Sequence, residues 1–526
     1  MKGRLMFSGS FKLNRLALPA IQFKLDRRKV GVHFAAEVMD RRKVGVYFAA
    51  WNIRRKLWRK AAVNKVVASP EEAIADIENG STIAIAGFSV NHGFATNLLV
   101  ALREKGTKEL TLVCNSLGDP GATRGQVLAE NNQVKKLIAA FSIRAGTPTA
   151  SEQQIVEGKM DVEVVPQGIL VERCRAGGAG IPAFFSPTSV GTALAEGREI
   201  REFDGKQYVL EHAIHVDFAF CRGYRADRLG NVQFRGGNQN FNPSFAKAAK
   251  CAIVEVDEIV EPGEIPPELV DLPGIFVQRV LKTRKDPAAK LWKRPERRPS
   301  DKPRLYGDKP GLTRQGIAKN AAKLVREGTY VNLGVGIPTM VSNYLQERDV
   351  ILHAENGVLG YGRMLTEESE IDPDIYNAAG QYVALAPGAS FFDSVTSFEM
   401  ARGGWIDTVI LGAYEVDEKA NVANWSTTDK KRGGIGGAMD LLSGKGDLII
   451  VMEHTDSKGR PKLRKQCTYP LTGQGCVSYV VTDLAVLRWD GKRFMLDEVA
   501  PGFTAEEVIA LTEMKVTAAP EVKFME

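Results

Sequence analysis

The chain has no CxxC pair, no HExxH or HxxxH spacing, no GxxxxGK[ST] loop and no apolar run of membrane-spanning length. Each absence removes a class of function. The six cysteines (Cys114, Cys174, Cys221, Cys251, Cys467 and Cys476) lie far apart in a 526-residue chain. That is the usage of a reducing compartment rather than a disulfide framework. The six histidines show no metal-ligand spacing, so no catalytic metal is expected. Without a phosphate-cradling Walker loop, nucleotide hydrolysis has no support. The longest apolar runs, such as TIAIAGF and DLIIVM, fall well short of the ~20 residues a membrane helix needs.

What is present is the composition of a soluble globular protein, 44% hydrophobic and 25% charged, and the length predicts two or more domains. The formal net charge of +7 is unevenly placed. Residues 1–64 hold 16 Lys/Arg against 3 Asp/Glu, and residues 282–314 hold 12 against 4, leaving −14 for the rest. The folded parts are therefore acidic. With no basic face on a folded module, neither nucleic acid nor a membrane is an expected partner.

Residues 1–63 read as a basic leader outside the fold. They carry a near-duplicate, LDRRKVGVHFAA from Leu25 and MDRRKVGVYFAA from Met39, and their acids make a poor transit peptide. From Val67 the pattern is a capped helix (Ser69 with Glu72), a buried strand, glycines and a second helix. GLTRQGIAKNAAKLVREGTYVNLGVGIPTMVSNYL repeats that logic from Gly311. Strand, glycine turn, then helix start is the ligand-cradling corner of an open α/β sheet. The expected fold class is α/β, with two structurally related domains facing each other across a cleft. They span residues 64–281 and 312–520, joined by a Pro-, Lys- and Arg-rich tether over 282–311. Alternation in EIREFDGKQYVLEHAIHVDFAFCRGYRAD predicts β hairpins, and the loop GNVQFRGGNQNFN is rich in Gly and Asn.

One stretch, HAENGVLG (353–360), sets a carboxylate, Glu355, between a buried strand (349–354) and the abrupt turn Asn356-Gly357. Around it stand NLGVGIP (332–338), PGASFFDS (387–394), RGGWIDTVILGA (402–413), ANW (423–425), GGIGGAMDL (433–441), MEHT (452–455) and PLTG (470–473). The first half carries CNSLG (114–118), VPQGILVERCRAGGAGIPAFFSPT (165–188), ADRLGN (226–231) and VEVDEIVE (254–261). Together these resemble the fused two-domain 3-oxoacid coenzyme A transferases over roughly residues 64–520.

The resemblance implies transfer of CoA from an acyl-CoA, succinyl-CoA for this family, to a 3-oxoacid such as acetoacetate. The route implied is ping-pong, through a glutamyl-CoA thioester. By the family's motifs Glu355 is the nucleophile. Gly436 and Gly437 flank the thioester, and Asn115 and Gln167 face it. Coenzyme A is then a co-substrate, and no permanently bound cofactor is implied. An acidic pair of domains that admits polyanionic CoA needs cations near the cleft. Lys430, Lys431 and Arg432, just before the glycines, are candidates for its phosphates. Two departures bear on the acid. The first glycine loop is AGFSVNHGFAT (86–96), with Asn91 and His92 new, and Gln381 stands where animal enzymes have lysine. Another short acid, 3-oxoadipate or acetate, is therefore an alternative acceptor. A non-catalytic sensor on the same fold is the alternative of another class. A homodimer in the cytoplasm is expected, with the mitochondrial matrix as the alternative compartment.

Overall fold

A computed structural model of the protein describes residues 63–88, 93–118, 124–142, 149–284, 302–427 and 433–526. The chain divides into Met1–Ala62, which lies outside the described residues, and a compact unit, Val63–Glu526. Asn91, His92 and the tether segment 285–301 are likewise outside them.

The first half of the compact unit is built on seven parallel strands. Thr82–Ile85 starts the sheet at its middle. Leu110–Cys114, Val134–Ala139 and Asp161–Val164 add on one side; Val216–Asp227, Ala249–Val260 and Arg279–Lys282 add on the other. Strand order therefore reverses beside Thr82–Ile85. In such sheets the crevice outside the carboxyl ends of the strands at that point is the ligand site. Asn115 follows Cys114 into this crevice.

The second half repeats the plan. Thr329–Leu333 lies between Val350–Ala354 and Thr408–Gly412, all parallel, and Asp447–Val451 and Tyr479–Val481 continue beyond. Antiparallel strands, Val358–Met364 and Val383–Phe391, close one edge, and at the other an antiparallel run is followed by Val516–Phe524, paired parallel. Glu355 leaves the strand Val350–Ala354 where Asn115 leaves Leu110–Cys114. The two halves thus present equivalent strand ends. One continuous apolar cluster includes residues of both halves, among them Val165, Phe241, Val331 and Ile410, so they pack as one body.

The local signals behave as capping chemistry requires. Ser69 Oγ accepts the Glu72 N–H at 3.2 Å, and Glu72 reaches the Ala68 N–H at 2.8 Å. Thr96–Lys105 ends on Gly106, whose φ of 73° is the left-handed conformation a glycine adopts without penalty. The hairpin expectation needs correcting in part. Ile200–Phe203 and Lys206–His212 do form an antiparallel hairpin, but Val216–Asp227 leaves for the main parallel sheet. Its buried residues lie on both faces, and period-two alternation at its start conceals that. Within the segment read as tether, Leu305–Tyr306 pairs with Lys309–Pro310, and Tyr306 Oη donates to Asp483 at 2.9 Å.

Candidate active site

The turn that carries Glu355 demands a glycine at position 357. Gly357 N–H donates to Ala354 O at 3.0 Å, and Gly357 adopts φ 106°. A Cβ there would sit 2.0 Å from Phe392 O, so any other residue collides with backbone. Asn356 is fully buried and donates from Nδ2 to Tyr376 O at 2.8 Å. Behind the turn, His353 is buried between Asn332 and Ser397, 3.0 Å from each. Asn332 Nδ2 also donates to His353 O, which makes Nδ1 the acceptor and places the ring proton on Nε2. Burial holds this imidazole down to about 4, so it stays neutral as a structural wedge.

Glu355 itself is half-buried. Its carboxyl is pushed up to about 8, first by desolvation and then by the negative charge of Asp440. Against it lies the backbone of Gly437. A Cβ on Gly437 would fall 2.1 Å from Glu355 Oε2 and 2.8 Å from the Phe398 ring. Among the described residues the Gly437 N–H has no partner. Gly436 differs. It has φ 55°, packs under Phe141, and its N–H makes a long contact (3.4 Å) with Ala140 O. Of the two glycines, Gly437 is the one packed against the carboxylate.

The first half supplies the facing wall. Phe141 and Gly434 form an antiparallel bridge, and Ile435 N–H donates to Ala140 O at 3.0 Å. Gln167 N–H donates to Gly436 O at 2.9 Å, while Gln167 Nε2 donates to Asn115 Oδ1 at 2.7 Å. Asn115, Gln167 and Gly436 are thus one hydrogen-bonded chain. The pairing uses an amide donor of Gln167 and leaves its Oε1 buried without a partner. The Asn115 NH2 remains, and it has no partner among the described residues. Lys430, Lys431 and Arg432 lie outside the described residues. Gln381 turns inward, its Oε1 accepting from Asn377 Nδ2 at 3.2 Å.

Asp440 is the acid that sequence reasoning passed over. It is wholly buried and accepts from Gly168 N–H at 2.8 Å, and from Thr188 Oγ1 and Arg402 Nη1 at 3.2 Å each. Burial raises its carboxyl above the usual range, and Arg402 works against that. Arg402 also lies 3.5 Å from Glu172, so the cluster ties the two halves together. The Asp in GGAMD was visible, but an acid in a helix's first turn is ordinary. Its neighbours are 272 and 252 residues away in the chain.

A desolvated carboxyl with a side-chain-free glycine packed against it, and an amide pair tied to the neighbouring glycine, is an arrangement that acyl transfer through a side-chain acid can use. The coenzyme A transferase family profile matches residues 67–283 and 314–511. The chain belongs to the coenzyme A transferase family. It is 40% identical over 487 residues to succinyl-CoA:3-ketoacid coenzyme A transferase 2A, mitochondrial, of Rattus norvegicus, covering 88% of this chain and 91% of that one. It is 47% identical over 204 residues to a probable coenzyme A transferase subunit beta of Bacillus subtilis, 39% of this chain and 94% of that one. The acyl-CoA transferase YdiF of Escherichia coli O157:H7, solved as apoenzyme, superposes with a TM-score of 0.72 at 23% identity, covering 88% of this chain and 95% of that one. This coenzyme A transferase is therefore an enzyme of 3-oxoacid CoA transfer, with acyl-CoA and acid substrates. Among the described residues, no helix is long and apolar enough to cross a membrane, and no three His, Cys, Asp or Glu side chains gather as metal ligands would.

Proposed function

We propose that this transferase works by a ping-pong cycle in which Glu355 is acylated and then carries CoA as a thioester. The observation that carries the reading is the carboxylate of Glu355 pressed against Gly437, whose N–H has no partner among the described residues. A Glu355 oxygen attacks the carbonyl carbon of the acyl-CoA. The C–O bond forms, the C–S bond breaks, and CoA leaves as the thiolate with the electron pair. The thiolate then attacks the glutamyl carbonyl of the mixed anhydride, releasing the donor acid as its carboxylate. Glu355 now holds CoA, and an acceptor carboxylate runs both steps backwards. No proton, electron or water is consumed.

Each tetrahedral intermediate puts negative charge on an oxygen beside residue 355. One preorganised donor is typically worth ~2.7–4 kcal/mol there, and the Gly437 N–H and the Asn115 amide are the donors this chain offers. Desolvation makes the ionised Glu355 a better nucleophile, because little water has to be stripped from it. The cost is that, with no substrate bound, most of it is protonated at neutral pH.

We further propose succinyl-CoA as donor and acetoacetate as acceptor, which the name of the rat relative supports. Coenzyme A is a co-substrate and no resident cofactor is needed. The working form is a homodimer in a reducing compartment, the cytoplasm or the mitochondrial matrix. All six cysteines are free, as such a compartment requires. Intact-protein mass after incubation with succinyl-CoA tests the mechanism: an adduct of CoA size forms on the wild type and not on Glu355→Ala. A panel of acetoacetate, 3-oxoadipate and acetate as acceptors tests the substrate. Acetoacetate is expected to discharge the adduct fastest, and faster discharge by another acid would reassign the acceptor.

A further inference from the structure

The Gly- and Asn-rich loop of the first half, noted in the sequence without a role, reaches into the second half and lies behind the Glu355 turn. Arg235 Nη1 donates to Asp372 Oδ1 and to Asp374 Oδ2, both at 2.7 Å, and Nη2 bonds Asp372 again. Gly237 N–H donates to Asp374 O at 2.8 Å, and Asn238 Nδ2 to Asp374 Oδ1 at 2.5 Å. Tyr376 Oη donates to Gly237 O at 3.2 Å. Further along the loop, Asn240 O accepts the Ser394 N–H at 2.9 Å.

These contacts meet the nucleophile turn from two sides. Tyr376 O is the acceptor that holds Asn356, the residue after Glu355. Phe392, two residues before Ser394, is the backbone that Gly357 packs on. The fit leaves no slack. A Cβ on Gly236 would lie 2.2 Å from Asp374 O, and one on Gly237 would lie 2.8 Å from Asn356 Nδ2. The ion pairs are partly exposed, with the Arg235 side chain at 44%, so screening leaves them little weight in stability. A planar fork on two carboxylates instead fixes direction.

We infer that the Arg235–Asp372–Asp374 clasp, acting through Gly237, Tyr376 and Asn356, positions Glu355 for attack, so the first half sets the geometry of a nucleophile carried by the second. The inference rests on the ping-pong reading above. These are positioning residues and none touches the reacting atoms. Reaction rate falls steeply when a nucleophile is displaced by even ~1 Å, a change that need not alter ground-state binding of the acyl-CoA.

The test compares Arg235→Met, Arg235→Lys and Tyr376→Phe with wild type by rapid-quench intact mass after mixing with succinyl-CoA, alongside steady-state kinetics and thermal unfolding. The expected result is adduct formation and kcat both slowed by ~10-fold or more in Arg235→Met and Tyr376→Phe, with KM for succinyl-CoA within about twofold. Arg235→Lys should recover part of the loss. If Arg235→Met does not fold, Tyr376→Phe, which removes one hydroxyl, carries the test. Folded variants that form adduct at the wild-type rate, with only a lowered melting temperature, would overturn the clasp and leave the ping-pong reading standing. A wild type that forms no adduct would sink both.

Discussion

At the scale of single residues, Glu355 is an acid kept where acids are uncomfortable. Its carboxyl titrates near 8 in the folded chain, against a usual value of 4.5. Because the folded pKa is raised, the folded state loses stability as pH climbs from about 4.5 through about 8, as the desolvated carboxyl ionises. Glu355→Gln removes that penalty. It is expected to melt higher than wild type at pH 8 and above, with the difference vanishing below pH 4.5, while turnover falls by several orders of magnitude. Differential scanning calorimetry across pH reads the first effect. In the proposed cycle the ionised form attacks, so kcat/KM for acyl-CoA should rise about tenfold per pH unit below 8 and level off above it. Asp440 supplies part of the shift, so Asp440→Asn should move that limb to lower pH, a change that loss of packing alone would not produce. At Gly437 even a methyl is too much. Gly437→Ala puts a carbon 2.1 Å from Glu355 Oε2, and adduct formation should drop at least ~100-fold in a chain that still folds.

At the scale of elements, the site is a set of strand ends and turns. The turn at Glu355-Asn356-Gly357 is dictated locally, by a glycine at φ 106° packed on Phe392 O. Gly357→Ala is expected to cost several kcal/mol and to be the most destabilising single-methyl change in this turn, measurable by denaturant unfolding. Such local features were legible in the sequence: the Asn-Gly turn, the buried run before it, the glycines after Trp425, the cap at Ser69. The partners were not. Asp440 meets Gly168 across 272 residues, and Arg235 meets Asp374 across 139. Nothing in local spacing encodes those pairings, because they are created when the two sheets are brought together. Val216–Asp227 misled for a related reason: its early alternation looked like a hairpin until a strand from elsewhere covered each edge.

At the scale of the whole molecule, two sheets with the same switch-point logic present Asn115 and Glu355 at equivalent strand ends, and one apolar core spans both halves. The two-domain plan was readable from the repeated helix–strand–glycine–helix pattern. That the halves share a core, and that the loop at Arg235 reaches the segment behind the Glu355 turn, was not readable, since amphipathic patterns show that a face is buried but not against what. Residues 1–62 fall outside both the compact unit and the family match. A chain beginning at Val63 should therefore keep kcat and melting temperature, as steady-state assay and calorimetry would show. The central claim, acylation at residue 355, is tested most directly by locating the label. The transferase is incubated with succinyl-CoA, the thioester is reduced with borohydride, and the digest is mapped by mass spectrometry. The account predicts a single reduced site, at Glu355, in the peptide carrying HAENGVLG. A reduced site at any other residue, or an unmodified Glu355 in enzyme that still exchanges CoA at full rate, would contradict it.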